Sequence, residues 1–385
     1  MSGLAHIRIG QSCASDASLA AQEFHAAVQQ PAMALVIFFC SSRYDLDALA
    51  GEMSRLFDGV KVIGCTTAGE IGPSGYCDFS ISGASFPADS FTMVAGLFDR
   101  LQQFDFARGQ GFVNGLLQQL EAQVPHSAAK SSFAFLMIDG LSVREEPVVR
   151  TFQNALGNIQ LVGGSAGDDS HFVRTWVFFD GAFHADGAVL LLATTPHPFK
   201  VFKTQHFVSD NERLVVTEAD PARRIVKEIN GLPAAEEYAR VIGSTVVDLG
   251  SLHFANSPVV VVIDGTDYVR AIQKANDDGS LTFFCAIDEG LVLRVAHGED
   301  LLGNLNQSFA ALREEIGVPQ AVLACDCILR NLEITHNGLK ASVGEVFRDH
   351  HAVGFSTYGE QYGGVHVNQT LTGIAFGDAE DCDVR

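Results

Sequence analysis

Two short turns carry the residues of this sequence that are best suited to chemistry. Gly64–Glu70 reads GCTTAGE, and Gly354–Glu360 reads GFSTYGE. Each turn offers hydroxyl groups, and a glutamate that can accept a hydrogen bond from an ammonium group or from a backbone amide. Glycines allow backbone N–H groups in such a turn to approach a ligand closely. The pattern predicts a site for a small polar molecule, and it is also typical of tight strand connections.

A third turn, Gly163–Asp169 (GGSAGDD), offers the same chemistry with aspartates as the acids. A cleft lined by all three turns would suit a molecule that bears both charges, such as an amino acid. The predicted ligand-binding residues are Thr66, Thr67, Gly69, Glu70, Ser165, Asp168, Thr357, Gly359, Glu360 and Asn368.

The chain lacks several signatures of catalysis and of metal or nucleotide binding. It contains no H-E-x-x-H motif and no phosphate-binding loop, and no G-x-G-x-x-G opens a helix. The eight cysteines are scattered, and Cys325–Asp326–Cys327 lacks the second pair of a metal-binding pattern. Nothing beside Cys65 or Cys327 indicates an activated thiol. We interpret the chain as a binding protein with reduced thiols, and not as an enzyme.

Each of the three turns ends a similar series of predicted elements. An apolar strand, a loop, a helix and a second strand precede the turn in each segment. The predicted elements are strand Ala34–Cys40, helix Asp45–Phe57 and strand Val60–Ile63, then strand Phe133–Ile138, helix Glu145–Leu156 and strand Ile159–Val162, then strand Ala321–Cys325, a helix and a strand at Val353. Such alternation predicts βαβ units with right-handed crossovers.

The first and last turns belong to a longer internal match. Gly83–Phe86 (GASF) and Gly373–Phe376 (GIAF) follow the two turns at the same offset and without a gap. Within the match, Ser80 corresponds to Thr370 and Ser82 to Thr372, which predicts an internal duplication. The strands after the turns, over residues 78–86 and 368–376, alternate in polarity and are predicted to be half exposed.

The length of 385 residues exceeds what one hydrophobic core usually serves, so we expect two domains. We place them at residues 1–205 and 206–385, with a helix over Glu218–Asn230 near the junction. The predicted fold class is α/β, in the sense of mixed α+β, with two domains of βαβ-type units, mixed sheets and an internal duplication. Most of the 28 phenylalanines are expected in the core, although such a number could also line an apolar ligand cavity.

The net charge of −21 argues against nucleic-acid and anionic-membrane partners, because neither surface attracts an acidic protein. No stretch has the roughly 20 apolar residues needed to span a bilayer. The N-terminus lacks the charged start and apolar run of a secretory signal. These features predict a cytoplasmic protein.

Motifs spread over nearly the whole chain resemble the FIST family of bacterial sensory proteins. They are the turns at Gly64–Ile71, Gly163–Asp168 and Gly354–Glu360, the segment Gly231–Tyr238 (GLPAAEEY), and the N-x-T at Asn368–Thr370. The resemblance implies an N-terminal FIST domain to about residue 205 and a C-terminal one to about residue 375. It also implies that the protein senses a small ligand and works beside a signalling enzyme.

As a stand-alone protein, the chain further resembles the NosP subfamily of nitric-oxide sensors. That resemblance implies haem b and regulation of a histidine kinase in a two-component system or of a diguanylate cyclase or phosphodiesterase. A homodimer is a further assembly that we consider. Haem would be non-covalent, because no C-x-x-C-H is present. The expected iron ligand is His206, followed by His366 and by His351 of the pair His350–His351. The alternative is a haem-free FIST sensor for a metabolite such as an amino acid.

Overall fold

The computed structural model describes residues 6–126, 129–263 and 265–378. The first five residues and Cys382, one of the eight cysteines, lie outside these ranges. Two complete repeats occupy the first half of the chain. The first contains β1 (Arg8–Ser12), α1 (Ala17–Val28), β2 (Met33–Ser41), α2 (Leu46–Leu56), β3 (Val62–Thr67), β4 (Glu70–Gly72), β5 (Gly75–Cys77) and β6 (Ile81–Pro87).

The second repeat has the same order of strands and helices. It contains β7 (Thr92–Phe98), α3 (Phe106–Gln123), β8 (Ser132–Ile138), α4 (Glu145–Leu156), β9 (Gln160–Ser165), β10 (Val177–Phe179), β11 (Ala182–His184) and β12 (Ala188–Thr194).

A third repeat begins at β13 (Phe199–Thr204) and is interrupted at once by an inserted domain. The elements of the inserted domain, residues 207–298, are β14 (Phe207–Asp220), β15 (Ile225–Ile229), β16 (Leu232–Pro233), α5 (Ala234–Ile242), α6 (Ser251–Asn256), β17 (Val259–Ile263), β18 (Thr266–Arg270), β19 (Ile272–Ala275), β20 (Leu281–Phe283) and β21 (Val292–Gly298). Its strands form an antiparallel sheet in the order β18-β17-β21-β14-β15-β20-β19, with β16 beside β15.

The third repeat then resumes and completes the chain. It contains α7 (Leu301–Ile316), β22 (Ala321–Cys327), α8 (Ile328–His336), α9 (Lys340–Asp349), β23 (Ala352–Thr357), β24 (Glu360–Tyr362), β25 (Val365–Val367) and β26 (Leu371–Phe376). The α/β fold with mixed sheets and an internal duplication is therefore confirmed, and the third copy carries the turn GFSTYGE.

Each repeat builds four strands of a sheet around one parallel pair and receives a hairpin from another repeat. The first sheet, β1-β6-β2-β3-β10-β11, ends with the hairpin of the second repeat. The second, β7-β12-β8-β9-β24-β25, ends with the hairpin of the third, and the third, β13-β26-β22-β23-β4-β5, ends with that of the first. The exchange closes a ring, so each repeat's sheet is completed by a neighbour.

Local sequence explains why the elements begin where they do. Asp16, Asp45, Asp105 and Asp300 accept hydrogen bonds from amides in the first turns of α1, α2, α3 and α7, and so cap these helices. The parallel strands β2, β8 and β22 are apolar runs, as expected for strands covered on both faces. A Cβ atom at Gly354 would lie 1.8 Å from the Ala324 carbonyl oxygen, so only glycine fits this strand pairing.

The three sheets surround one apolar core. Phe39 stacks on Phe355 with ring centroids 4.6 Å apart and lies 6.4 Å from Phe135, so each repeat contributes an aromatic ring. The helices cover the outer face of each sheet with a separate apolar layer. Most of the 28 phenylalanines are buried in these layers.

Two sequence expectations about individual elements are wrong. Residues 218–230 form the end of β14, a short 3-10 turn and β15 instead of a helix, because sheet pairing satisfies their backbone groups. Strands β6 and β26 are fully buried and not half exposed. The hydroxyls of β6 bond to backbone atoms instead of water, as Ser82 Oγ does to the Gly354 carbonyl at 3.1 Å, whereas Thr372 Oγ1 of β26 has no partner among the described residues.

The predicted division into residues 1–205 and 206–385 stays a prediction. Residue 205 lies between β13 and β14, where the inserted domain begins. No helix of the described residues is long and apolar enough to cross a membrane.

Candidate functional site

The three predicted turns meet at one end of the molecule and bond to one another through their backbones. Ala68 N donates to the Ser356 carbonyl at 2.9 Å, and Ser165 N donates to the Gly359 carbonyl at 2.8 Å. Gly167 N closes the ring by donating to the Thr66 carbonyl at 2.9 Å. The structure therefore brings the turns together, but several of their backbone groups serve one another and not a ligand.

Glu70 and Glu360 occupy matching nests inside their own repeats. In the first, Thr67 Oγ1 donates to Glu70 Oε1, while Ser80 donates to Oε2 through its amide at 2.9 Å and its hydroxyl at 2.8 Å. In the third, Thr357 and Thr370 hold Glu360 through the same atoms. The sequence left two partners open for these glutamates, an ammonium group of a ligand or a backbone amide. The geometry shows the backbone amide.

Burial gives both glutamates unusual acidity. Neither has any exposed surface, and this desolvation raises the pKa of each to about 8, against the lowering effect of the surrounding hydroxyl donors. Both carboxyls are therefore largely protonated near neutral pH. Because hydroxyls can donate or accept, Thr67 and Ser80 can also serve the protonated form.

Asp168 organises the loop that follows the second turn. Its carboxylate accepts from the amides of Phe172, Val173 and Arg174 at 2.8–2.9 Å, and from the Tyr358 hydroxyl of the third repeat. The residue is buried, with 4% of its surface exposed. Its role here is to fold a loop and to join two repeats.

Two further predicted residues lie at the junction of the turns. Thr66 Oγ1 accepts from the Trp176 amide at 3.1 Å, and Ser165 Oγ accepts from Gln361 Nε2 at 2.8 Å. Residues 163–167 also fit the letters G-x-S-x-G of a hydrolase nucleophile turn. Ser165 is buried, however, and its hydroxyl contacts an amide side chain, which cannot act as a general base.

A cluster of unsatisfied polar atoms surrounds Gly359, beside Ser165. Gln361 Oε1, His366 Nε2 and Asn368 Nδ2 have no hydrogen-bond partner among the described residues, although all three side chains are buried. A Cβ atom on Gly359 would lie 2.6 Å from His366 Nε2 and 2.9 Å from Asn368 Nδ2, so these two atoms lie directly against Gly359. We call Gln361, His366 and Asn368 the polar trio.

The first repeat has no counterpart of the polar trio. In the ungapped match, the first repeat has Ile71, Tyr76 and Asp78 at the corresponding positions. The glutamate nest, by contrast, is common to both. Sequence reasoning had selected His366 and Asn368 but missed Gln361, which stands directly after Glu360 and could have been found by comparing the two repeats.

The inserted domain covers the polar trio. Arg270 Nη1 donates to the His366 carbonyl and Ala271 N to Asn368 Oδ1, both at a long 3.5 Å. Tyr358 and Phe284 join the two parts in an apolar cluster. No carboxylate in the described part of the chain forms an ion pair with Arg270, so a cation stands beside the trio.

A charged clamp fixes the inserted domain nearby. Arg224 Nη2 contacts Glu145 at 2.6 Å and Glu146 at 2.5 Å at the start of α4. Burial raises the pKa of Glu145 to about 7, although Arg224 lowers it. Sequence reasoning missed Arg224 and Arg270, because only folding brings them to the turns.

His366 is held as a neutral imidazole. Its pKa is lowered to about 4, chiefly by complete burial; Glu146 opposes this lowering, and Arg224 and Arg270 add to it. The Gln361 amide nitrogen lies 3.4 Å from Nδ1, so Nδ1 accepts and Nε2 carries the proton. The trio therefore presents donors at His366 and Asn368 and an acceptor at Gln361.

The other predicted histidines have different surroundings. His206 Nδ1 accepts from Arg330 at 3.1 Å, and its Nε2 donates to Glu333 at 2.9 Å, so both nitrogens are engaged in a buried network. His351 is exposed, and its Nδ1 donates to the Pro319 carbonyl at 3.0 Å. That bond leaves the Nε2 lone pair of His351 available.

These surroundings decide which histidine fits haem iron, which needs an unprotonated imidazole nitrogen. His206 does not fit, because Arg330 and Glu333 occupy both nitrogens. His366 does not fit either, since its Nε2 carries the proton and the Gly359 backbone lies against it. Only His351 of the three has the required nitrogen.

Two further observations concern other places where a ligand or a metal ion could bind. A polar cavity of about 600 Å³ lies on the inserted domain between Arg223, Lys227, Lys274 and Asp277, and no predicted site residue lines it. In the described part of the chain, no group of three His, Cys, Asp or Glu residues could hold a metal ion.

The fold and the site define an internally repeated α/β protein whose polar groups are enclosed beneath an inserted β domain. Models of the FIST N domain and the FIST C domain match residues 34–232 and 234–363. The chain therefore belongs to the FIST family. FIST domains are sensory signal-transduction domains that bind small ligands, and they are not enzymatic.

Other comparisons add little. No curated protein matches the chain. Among solved structures, cyanuric acid hydrolase from A. caulinodans is 8% identical with a TM-score of 0.35, covering 97% of this chain and 99% of the other. PurLQS from Thermotoga maritima is 9% identical with a TM-score of 0.20, covering 97% and 73%.

Proposed function

We propose that this protein is a signal-transduction sensor that binds a small metabolite at the polar trio of the third repeat. The observation that carries the proposal is a set of three buried, unsatisfied polar atoms on one hairpin and the strand end after it, two of which lie against Gly359. Each such atom costs about 1–3 kcal/mol, so a bound group that satisfies all three would be strongly favoured.

The chemistry of the trio indicates the class of ligand. Two donors, one acceptor and the nearby Arg270 suit a molecule that carries a carboxylate together with a donor group. An α-amino acid has both. The protonated Glu70 and Glu360 supply no anionic partner for the ligand's amino group. Glu146, which contacts Arg224 and acts electrostatically on His366, could supply one.

The position of the trio indicates how binding becomes a signal. Since the trio is buried, a ligand enters only when the inserted domain moves and its Arg270 and Ala271 leave His366 and Asn368. Those two hydrogen bonds are long, so their loss costs little. A ligand that binds one position of the inserted domain better than the other shifts the balance between them. The partner, a histidine kinase or a cyclic-di-GMP enzyme, would read that position.

A thermal-shift screen of amino acids and small carboxylates tests the proposal. A ligand at 100 times its Kd stabilises the folded state by about 2.7 kcal/mol. Asn368→Ala should abolish the shift, whereas Asp78→Ala, at the matching position of the first repeat and 65% exposed in its side chain, should retain it. Equal shifts in both variants would contradict the site.

Haem-based sensing of nitric oxide is the second candidate, and His351 is the observation that favours it. Its Nδ1 bond to Pro319 leaves Nε2 as an iron ligand. Haem b would supply the iron that binds nitric oxide. Purified protein reconstituted with haemin should then show a Soret band that shifts with nitric oxide and is lost in His351→Ala. A protein that binds no haemin would remove this candidate.

A further inference from the structure

Two cysteines from distant parts of the first repeat lie side by side. Cys13 follows β1 and Cys77 ends β5, and their sulfurs are 3.6 Å apart. Both thiols are free; Cys13 is exposed and Cys77 is half buried. The other cysteines that the structure describes are Cys40, Cys65, Cys285, Cys325 and Cys327, all buried. A small oxidant can therefore reach this pair before the others.

We propose that Cys13 and Cys77 form a reversible intramolecular disulfide when the protein meets a hydroperoxide. The bond starts from two sulfurs that already share a hydrogen-bonding contact. The positions along the chain are 64 residues apart, so their meeting is a product of the fold and not of local sequence.

The surroundings set the order of the reaction. The pKa of Cys77 is raised to about 12, chiefly by burial and also by the hydrogen bond to Cys13 and the charge of Glu70, against the lowering effect of Lys340. Cys77 therefore keeps its proton, and the exposed Cys13 reacts first.

The chemistry balances with hydrogen peroxide as the oxidant. Cys13 thiolate attacks one peroxide oxygen, the O–O bond breaks, and the released hydroxide takes a proton to leave as water. The Cys77 sulfur then attacks the resulting sulfenic acid, and its proton leaves with the sulfenic hydroxyl as a second water. Two thiols are oxidised to one disulfide while one peroxide is reduced to two waters.

The disulfide would involve a hairpin that links the first repeat to the third. Cys77 lies in the hairpin β4–β5, where it pairs with Glu70, and this hairpin completes the sheet of the third repeat. It corresponds in the duplication to β24–β25, which carries Gln361 and His366. Oxidation would tie the first hairpin to the end of β1 and provide a second input that needs no metabolite.

Peptide mapping of the full-length protein tests the proposal. Native protein is treated with hydrogen peroxide, its remaining thiols are alkylated, and the non-reduced digest is analysed by mass spectrometry. We expect a linked peptide that joins Cys13 and Cys77, a loss of two thiols, and full recovery with dithiothreitol. The midpoint of thermal unfolding should rise on oxidation and return on reduction.

Two kinds of variant sharpen the result. Cys77→Ser should remove the linked peptide and the rise in the midpoint, whereas Cys382→Ser should retain both. Recovery of alkylated Cys77 together with Cys13 as sulfinic acid would overturn the proposal. A Cys13 linked to a second chain or to Cys382 would overturn it as well. The mapping of the unaltered protein decides the matter even if a variant fails to fold.

Discussion

The paired glutamates Glu70 and Glu360 should make stability depend on pH in an unusual direction. Their pKa of about 8 in the folded protein exceeds the ordinary value, so the folded state binds protons more tightly than the unfolded chain. Their contribution is complete below the unfolded pKa near 4.5 and is lost as the pH rises through 8. The free energy of unfolding should fall by about 1 kcal/mol per pH unit for each group.

Chemical denaturation between pH 5 and pH 8 measures this effect. Glu70→Gln, which mimics the protonated side chain, should flatten the slope by one group's share. Glu345→Gln, at a side chain that is 67% exposed, should leave the slope unchanged. A stability that rises with pH in this range would contradict the protonated state.

Arg330 should be essential for the stability of its buried network. Its Nε donates to Asp326 at 2.7 Å, and its Nη1 donates to His206, which in turn contacts Glu333. Arg330→Met leaves these acids without a counter-charge and should cost about 3–5 kcal/mol. Arg348→Met, on the surface of α9, should cost less than about 0.5 kcal/mol in the same denaturation experiment. A loss below about 1 kcal/mol at Arg330 would contradict the role.

The sequence predicted which residues surround Glu70 and Glu360 better than it predicted the protonation of these glutamates. The match of Ser80 with Thr370 follows from the alignment of the repeats, and both residues hold the glutamate of their own turn. The protonation of Glu70 and Glu360 could not be predicted, because it depends on complete burial by parts of the chain far away.

Among the elements, the turn between β23 and β24 should tolerate change least. Gly359 has φ +151°, and a Cβ atom there would lie 2.3 Å from His366 Cε1. Gly359→Ala should therefore destabilise the protein by about 2 kcal/mol or more and distort the polar trio. Gly111→Ala, in α3 with no atom near the new methyl, should stabilise it by roughly 0.5–1 kcal/mol. Unfolding curves that show equal effects would contradict the tight packing.

The parallel strands and their helices could be predicted because each is encoded locally. Phe133–Ile138 and Glu145–Leu156 carry clear apolar periodicity, and they match β8 and α4. The exchange of hairpins could not be predicted, because the short strand β4 pairs with β23 through backbone bonds that any sequence could form. The end of β14 and β15 were mistaken for one helix because their pairing with each other, and that of β15 with the remote β20, cannot be predicted from local sequence.

For the complete chain, Arg224 should hold the inserted domain over the turns. The residue is buried and bridges Glu145 and Glu146 of the second repeat. Arg224→Ala would leave the buried Glu145 and the half-buried Glu146 without their counter-charge, and we expect the domain to open at least tenfold more often, an effect of about 1.4 kcal/mol or more. Limited proteolysis at the connections near residues 205 and 299 measures this opening.

The matched control lies in the same domain. Lys227→Ala removes an exposed pair with Glu218 and should leave the cleavage rate unchanged. Faster cleavage in both variants would point to general destabilisation of the inserted domain instead of release from Glu145 and Glu146.

Hydrogen exchange with and without a ligand from the screen tests the proposed site most directly. We predict slower exchange in the hairpin β24–β25, next to the polar trio, and no change in the corresponding hairpin β4–β5. The amides of Arg270 and Ala271 should also respond, since they cover the site. Protection confined to the polar cavity around Lys227 and Lys274, with β24–β25 unchanged, would contradict the account.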